Sequence, residues 1–312
     1  MDKFVPKLER IACPLCQSTK SKYWKTLKKW EVEQCQQCGF MFPNPMPSEE
    51  TMIQAYALPE TEYNYFFQAD YLATQSVMNH AAPWQQENSK RYLDFLKQFK
   101  KDDNAIILDF GCSSGFFLEE AQKSNWKTIG IDPGNWGQPE KDSVLGIQRC
   151  SLFEANIEKN SIDVIFAASV IEHLTDPVRY LKKLNSFLKP QGIIYVVGLP
   201  NMHCHATLLG IDKWIGNHPP IHLGFYTPRT AKKILENTGF KDVKIKSHGL
   251  SETVLEFIFN RSNEKYDASY TNLLTESNFK GKILKGMRDF LNIFFNITKT
   301  GSVMEIIAKK KS

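Results

Sequence analysis

Residues 105–119 read Ala-Ile-Ile-Leu-Asp-Phe-Gly-Cys-Ser-Ser-Gly-Phe-Phe-Leu-Glu, and this stretch decides the fold class. The first four residues are apolar, as expected of a buried parallel strand. Gly111 and Gly115 then bracket a tight turn, and helical spacing resumes at Phe116. A strand, a glycine-bounded turn and a helix in this order predict the first unit of a nucleotide-binding α/β sheet, with the ligand at the carboxyl end of the strand.

The positions of the glycines argue against two common phosphate-binding turns. A dinucleotide fingerprint needs three glycines at places where this chain has Gly111, Ser113 and Phe116. A P-loop needs the triplet Gly-Lys-Ser/Thr, which does not occur in the sequence. The acidic Asp109 just ahead of the turn therefore suits a cationic or amine-bearing ligand better than a pyrophosphate.

The pattern Asp109-x-Gly111-Cys112-Ser113-x-Gly115 resembles motif I of the class I S-adenosylmethionine-dependent methyltransferases. The usual form is Leu-Asp-x-Gly-Cys-Gly-Ser/Thr-Gly, so Ser113 stands where that family has glycine. The resemblance implies a Rossmann-like, seven-stranded, mostly parallel α/β sheet with an antiparallel last strand, and S-adenosylmethionine as the cofactor. Motif I alone leaves open an ordinary strand–turn–helix that binds no ligand.

A second acidic residue follows the next predicted strand, Trp126–Ile131. Asp132 lies 23 positions after Asp109, close to where an acidic side chain meets the ribose hydroxyls in such folds. The resemblance places this carboxylate on the ribose, and the alternative is a cap of the next helix. The resemblance also implies that further cofactor contacts come from Pro133, Ser151, Leu152 and Ala168.

The segment Glu172-His173-Leu-Thr-Asp176-Pro177 closely resembles a second conserved stretch of the same methyltransferases. It follows a predicted strand, Ile162–Ala168, and precedes a predicted helix over Val178–Leu188 and a strand over Ile193–Val197. Val303–Ala308 is similar to the family's antiparallel seventh strand. The resemblance covers residues 104–309.

Three side chains are the candidates for catalysis. His222 lies in a segment similar to a loop of zinc-containing sugar C-methyltransferases, in which Pro220 and Ile221 replace a histidine and a glutamate. A lone imidazole suits removal of a hydroxyl proton, whereas the alternative is that His222 only packs beside Phe225 and Tyr226. Tyr226 is the next candidate.

His173 is the third candidate. Some quinone O-methyltransferases, which this region resembles, hold a metal here with a further glutamate where this chain has Ser169. The missing glutamate argues against a catalytic metal, and we expect His173 to orient other groups or to be structural.

Four of the seven cysteines form two close pairs, Cys13/Cys16 and Cys35/Cys38, with eighteen residues between the pairs. This spacing is typical of a closed structural zinc site with four thiolate ligands. A redox dithiol or a pair of disulfides is the alternative, but neither a βαβ context nor a secretory context accompanies these cysteines. We therefore expect structural zinc, and a positive φ at Gly39 behind the second pair.

The chain divides into three predicted parts. Residues 1–47 form a zinc ribbon, residues 48–83 an aromatic linker or lid, and residues 84–312 the methyltransferase domain with a helical insertion at about 251–300. The linker includes aromatic side chains that either line a ligand pocket or pack the ribbon on the domain. A basic amphipathic helix near 280–297 is interpreted as a cap or a dimer contact, with a membrane-surface role as the alternative.

Composition and charge limit the partners and the location that can be expected for this protein. The 312 residues are 42% hydrophobic and 12% aromatic, and the net charge of +5 is dispersed, which does not favour a nucleic-acid partner. No apolar run approaches the roughly 18 residues of a membrane span, and Met1–Pro6 has no apolar signal core. We therefore expect a cytoplasmic protein, and the sequence leaves a homodimer open.

Taken together, these features predict a methyltransferase that acts on a small molecule. The branch with a ribbon resembles enzymes of sugar, polysaccharide and secondary-metabolite pathways, which implies that the acceptor is a hydroxyl of a sugar, of a nucleotide-linked sugar or of a precursor in such a pathway. The alternatives are C-methylation of a sugar, a nucleic-acid methyltransferase that uses the ribbon for recognition, and a binding module without catalysis.

Overall fold

The computed structural model describes residues 6–56, 75–100, 104–134, 139–210, 218–249 and 290–311. The strands are β1 Leu8–Glu9, β2 Ser21–Leu27, β3 Trp30–Cys35, β4 Met41–Pro43, β5 Met46–Pro47, β6 Ile106–Phe110, β7 Lys127–Ile131, β8 Ile147–Gln148, β9 Ile162–Ala168, β10 Leu188–Pro200, β11 Phe240–His248 and β12 Val303–Lys310. The helices are α1 Glu49–Tyr56, α2 Gln75–Lys97, α3 Phe116–Lys123, α4 Pro139–Leu145, α5 Pro177–Phe187, α6 His205–Leu208, α7 Pro228–Asn237 and α8 at 290–298.

A seven-stranded sheet in the order β11-β12-β10-β9-β6-β7-β8 forms the centre of the fold. The pairs among β10, β9, β6, β7 and β8 are parallel. β12 is antiparallel to both of its neighbours, β10 and β11. The predicted α/β sheet with an antiparallel last strand is therefore confirmed.

Apolar residues on both faces of the sheet explain why the predicted strands are continuous apolar runs. Along β10, Ile193 and Tyr195 pack in one core cluster with α2, while Ile194 and Val196 pack in the other with α5. Successive side chains of a strand point to opposite faces, so each face needs its own apolar set. The sheet is covered on both sides, which is the arrangement that parallel sheets require.

Some predicted boundaries were wrong. The sequence predicts a helix from about Trp84 to Lys100 and a turn at Lys189–Gly192, but α2 begins at Gln75 and β10 continues through that turn. The register between β10 and β9 shifts between Leu188 and Ile193, so the predicted turn is an irregularity within the strand. The sequence predicts Phe294 on the apolar face of the helix near 280–297, whereas in α8 Phe295 is buried and Phe294 is exposed.

The N-terminal part is a small β module on the sheet domain. β2, β3 and β4 form a three-stranded antiparallel sheet, and β1 pairs with β5. The sequence predicts that Ser48 caps a short helix that ends at about Tyr56, and α1 confirms this, with the Ser48 hydroxyl accepting from the Thr51 backbone N–H at 3.2 Å. The aromatic residues of the predicted lid, Tyr63, Tyr65, Phe66 and Phe67, lie outside the described residues, as do the first residues of the helix predicted near 280–297. Among the described residues, no helix is both long and apolar enough to cross a membrane.

Candidate active site and metal centre

The turn after β6 is built around two glycines in the left-handed region. Gly111 and Gly115 both have φ near +79°, a conformation that side chains rarely adopt. A Cβ on Gly111 would lie 2.4 Å from Val170 Cγ2, and one on Gly115 would lie 2.7 Å from Leu145 Cδ1. Ser113 has φ +46° despite its side chain. The turn is therefore tightly packed at the carboxyl edge of the sheet, where the N–H groups of Gly111 and Cys112 donate to the Ile131 carbonyl.

Asp109 and Asp132 lie at the ends of the neighbouring strands β6 and β7. Both are buried, with exposed fractions of 3% and 8%. Burial raises the pKa of Asp109 well above its usual range, and the neighbouring Asp132 raises it further. Burial also raises the pKa of Asp132, against the lowering effect of its backbone hydrogen bonds and of Arg149. Two buried acids side by side favour a cationic ligand.

Asp132 also holds the turn in place. Its carboxylate accepts from the Ser113 N–H and from the Gly134 N–H, each at 2.8 Å. A carboxylate has about four acceptor sites, so these two bonds leave capacity for ligand hydroxyls. The predicted ribose role and the alternative role of a local cap are thus compatible in one side chain.

The other predicted cofactor residues lie along the same edge. Cys112 is buried, and burial raises the pKa of its thiol. Leu152 is buried after β8, whereas the Ser151 hydroxyl donates to Glu154 at 2.7 Å. Pro133 is exposed, and Ala168 ends β9 half-buried.

Three titratable side chains meet beyond the end of β9. One carboxylate oxygen of Glu172 and one ring nitrogen each of His173 and His222 all lie within 4.8 Å of one another. The rings of His173 and His222 have centroids 5.1 Å apart. His173 Nδ1 donates to the Ile221 carbonyl at 2.8 Å, and burial lowers the pKa of His173 to about 4. The structure therefore brings together two of the three predicted catalytic side chains.

Tyr226, the third candidate, is fully buried, and burial together with the nearby Glu172 raises its pKa well above the usual range. Its ring contacts Phe40 edge-on at 4.9 Å. Glu172 lies close enough to affect the Tyr226 hydroxyl electrostatically, although no hydrogen bond joins the two groups.

The loop that includes His222 is anchored on two sides. The N–H groups of Leu223 and Gly224 donate to the Glu172 carbonyl at 2.7 and 2.9 Å. On the other side, the Phe225 N–H donates to the Met41 carbonyl of the ribbon at 3.0 Å. The ribbon is thus part of the support of the candidate active site.

The four predicted metal-binding cysteines are close together. Their sulfur atoms all lie within 4.8 Å of one another, with Cys13–Cys38 at 3.6 Å and Cys16–Cys35 at 3.5 Å. Gly39 has φ +80°, as expected behind the second pair. Four thiols in this arrangement can hold one metal ion with no position open to solvent.

Sequence reasoning missed Glu172 as a site residue. The Glu-His-Leu segment was recognised, but only the structure shows that the Glu172 carboxyl is turned inward, with an exposed fraction of 1%. No local pattern signals that orientation, because the residues that bury the carboxyl lie about fifty positions away in sequence.

Comparisons with known proteins agree with this geometry. A sequence profile of the family described as "Methyltransferase domain" matches residues 81–245, just over half of the chain. A ubiquinone biosynthesis O-methyltransferase from Bradyrhizobium diazoefficiens is 28% identical over 96 residues, covering 29% of this chain and 38% of that protein. A tRNA U34 carboxymethyltransferase from Idiomarina loihiensis is 26% identical over 154 residues, covering 46% and 47%. The chain spans less than half of the length of either relative.

A solved structure shares the fold. Phosphoethanolamine N-methyltransferase 2 from Haemonchus contortus, in complex with S-adenosyl-L-methionine, superposes with a TM-score of 0.50 at 16% identity. The superposition covers 87% of this chain and 63% of that one. With the family profile matched across the glycine turn, both buried acids and the Glu-His segment, the chain belongs to the class I S-adenosylmethionine-dependent methyltransferases.

Proposed function

We propose that this protein transfers a methyl group from S-adenosylmethionine to a hydroxyl of a small molecule, a sugar or a nucleotide-linked sugar. One observation carries the proposal: a buried acidic pair at a glycine turn adjoins a buried carboxyl–imidazole cluster. The two sites are linked by Val170, which packs on Gly111 and precedes Glu172 by two positions. A cofactor site and a proton-accepting site are therefore neighbours.

The residues present fit the cofactor. Any side chain at Gly111 or Gly115 would collide with the protein, and both acids are buried beside the turn. Asp132 would accept from the ribose hydroxyls, and Asp109 and the turn from Gly111 to Gly115 would frame the cationic methionine end. Cys112, Ser113, Pro133, Ser151, Leu152 and Ala168 would complete the site. S-adenosylmethionine supplies a methyl group on a sulfonium, which is already a good leaving group.

The chain's own contribution to the reaction is positioning and proton removal. His222 is the proposed general base, and His173 is proposed to orient the pocket, since its Nδ1–H is committed to the Ile221 carbonyl. Tyr226 closes the pocket from the ribbon side. A histidine beside the acceptor suits this step, because an imidazole can accept the proton that the hydroxyl loses as the methyl group arrives.

The ribbon is proposed to bind one structural zinc ion through Cys13, Cys16, Cys35 and Cys38. A module of this size buries too little apolar surface to be stable alone, and a metal ion can supply the missing stability. Elemental analysis of protein purified without chelator should find one zinc per chain.

Calorimetry and an acceptor panel test the enzymatic proposal. S-adenosylmethionine and S-adenosylhomocysteine should both bind with one site per chain. Formation of S-adenosylhomocysteine should then depend on a hydroxylated small molecule, with amine and thiol analogues as controls. Failure to bind either ligand would exclude the methyltransferase reaction, whereas transfer only to amines or carbon acids would exclude the hydroxyl acceptor. A cytoplasmic location and a homodimer stay predictions.

A nucleic-acid acceptor is the second candidate, because one relative is named as a tRNA-modifying enzyme. The same assay with bulk tRNA in place of the small molecules distinguishes the two. The small-molecule proposal is favoured since the charge of +5 is dispersed along the sequence.

A further inference from the structure

The carboxyl group of Glu172 is buried without the hydrogen bonds that a purely structural carboxyl group would make. It is 1% exposed, and its Oε2 has no hydrogen-bond partner among the described residues. Its Oε1 lies 3.9 Å from His173 Nε2. A buried polar atom without a hydrogen-bond partner is unfavourable, so a buried carboxylate oxygen that lacks one calls for a functional explanation.

The groups that face this carboxyl come from two elements. From its own turn, His173 presents Nε2 as an acceptor, because Nδ1 must carry the proton that is donated to the Ile221 carbonyl. From the 218–226 loop come His222 and the Tyr226 hydroxyl, which also has no partner among the described residues. His218 stands farther out, with its ring 6.4 Å from that of His222. Burial, with no cation among its causes, raises the pKa of Glu172 to about 8.

We propose that Glu172 is a proton-relay residue of the acceptor pocket, which receives through His222 the proton that the acceptor hydroxyl loses. The inference rests on the proposed function and deepens it, since it assigns the route by which the proton leaves. Glu172 does not touch the acceptor and acts only through the imidazole.

The step balances in protons and charge. The hydroxyl oxygen forms its bond to the methyl carbon as the carbon–sulfur bond breaks, and sulfur leaves as a neutral thioether. The hydroxyl proton moves to one nitrogen of His222, and the imidazolium passes a proton to the carboxylate of Glu172. The resulting carboxylic acid releases that proton to solvent before the next turnover.

A relay of this kind changes the pH at which the pocket works. A lone imidazole would accept the proton once the pH exceeds about 6.5. When the imidazole of His222 is paired with Glu172, the pair can take up the proton only when the carboxyl is ionised, which happens near pH 8. The acid limb of the kcat/KM profile should therefore lie above pH 7.

The first test needs no acceptor. Protein labelled with ¹³C at the glutamate carboxyl carbon is titrated by NMR in the presence of S-adenosylhomocysteine. One carboxyl should titrate between about pH 7 and 9, and it should be missing from Glu172→Gln but kept in Glu158→Gln, an exposed control. If every carboxyl titrates near pH 4.5, the proposal is overturned. Binding of S-adenosylhomocysteine, measured by calorimetry in the same samples, tests the proposed function separately.

The second test uses turnover. Glu172→Gln should lower kcat at least about tenfold and move the acid limb of kcat/KM to near or below pH 6.5, while Glu172→Asp should retain a limb above pH 7. An unmoved limb in Glu172→Gln would overturn the relay. A second metal ion per chain that is lost in Glu172→Gln would also overturn it, because the cluster would then bind a cation rather than a proton.

Discussion

The proposed cofactor edge and the proposed acceptor pocket, which is the cluster of Glu172, His173 and His222, are neighbours, but they are assembled in different ways. The cofactor edge consists of Asp109, the glycine turn and Asp132, all on two adjacent parallel strands and the turns that follow them. The acceptor pocket joins Glu172 and His173 to a loop fifty residues later and to the ribbon at Met41.

The difference shows which parts of an active site depend on distant structure. Backbone pairing between β6 and β7 sets the spacing of the two acids, so the cofactor edge needs only the sheet. The acceptor pocket depends on hydrogen bonds made in two directions by one loop. We therefore expect changes in the ribbon or the loop to affect methyl transfer while cofactor binding is retained.

His222→Ala should separate the two regions most sharply. As the general base, His222 should contribute about 10²–10⁴-fold to kcat, with unchanged S-adenosylmethionine affinity. The control is His203→Ala, because His203 is an exposed histidine of the same connection between β10 and α7. Near-normal turnover in His222→Ala would remove this residue from the mechanism and leave Tyr226 to be tested.

Loss of the proposed zinc ion from the ribbon should also affect the acceptor pocket rather than the cofactor edge. In Cys35→Ser the Met41–Phe225 contact should loosen, and since misplacement by about 1 Å can lower turnover 10²-fold, kcat should fall by about that factor. S-adenosylhomocysteine affinity should change less than about threefold. Cys150→Ser, at a cysteine outside the metal cluster, is the matched control. An equal loss of cofactor binding in Cys35→Ser would mean that the two regions are not separable.

Asp132→Ala should act on the cofactor edge alone. It removes at least one charge-assisted hydrogen bond of about 1.5–3 kcal/mol, so the Kd for S-adenosylmethionine should rise at least about 10- to 150-fold. Asp242→Asn, on the far edge of the sheet at a position with φ +53°, should leave the Kd unchanged. If Asp132→Ala keeps wild-type affinity for S-adenosylmethionine, Asp132 serves only as a local cap of the turn.

Cofactor binding should weaken at acid pH. Because burial and Asp132 raise the pKa of Asp109 well above its usual range, Asp109 is protonated in the free protein at pH values where an exposed aspartate is ionised. A cationic ligand favours the ionised form, so its binding should release a proton and its Kd should rise by up to about tenfold per pH unit below the raised pKa. Calorimetry in buffers of different ionisation enthalpy measures the released proton. Asp109→Asn should show no release, and an identical release in that variant would assign the proton to another group.

The sequence predicted the cofactor edge more completely than the acceptor pocket. Strand β9 was predicted with its observed bounds, and the mostly parallel sheet with an antiparallel last strand was confirmed, because apolar runs and glycine turns are local signals. The burial of Glu172 and the bond from Phe225 to Met41 depend on segments far apart in sequence, which a local pattern does not encode. The shift of the buried face of α8 from Phe294 to Phe295 has the same cause, since periodicity does not set how a helix is rotated against its neighbours.

The position of β12 in the sheet has a consequence for the order in which the protein can fold during synthesis. Among the described residues, β11 is the edge strand of the sheet and pairs only with β12, which starts at Val303, more than fifty residues after β11 ends. Until residues 303–310 leave the ribosome, β11 cannot join the sheet and one edge of β10 stays unpaired. Asn201, just after β10, likewise cannot form its hydrogen bonds to the carbonyls of Gly301 and Ser302 until those residues have been synthesised. The nascent chain can therefore form its cofactor edge early, whereas an exposed strand edge at β10, a site for wrong pairing, lasts until the final strand arrives.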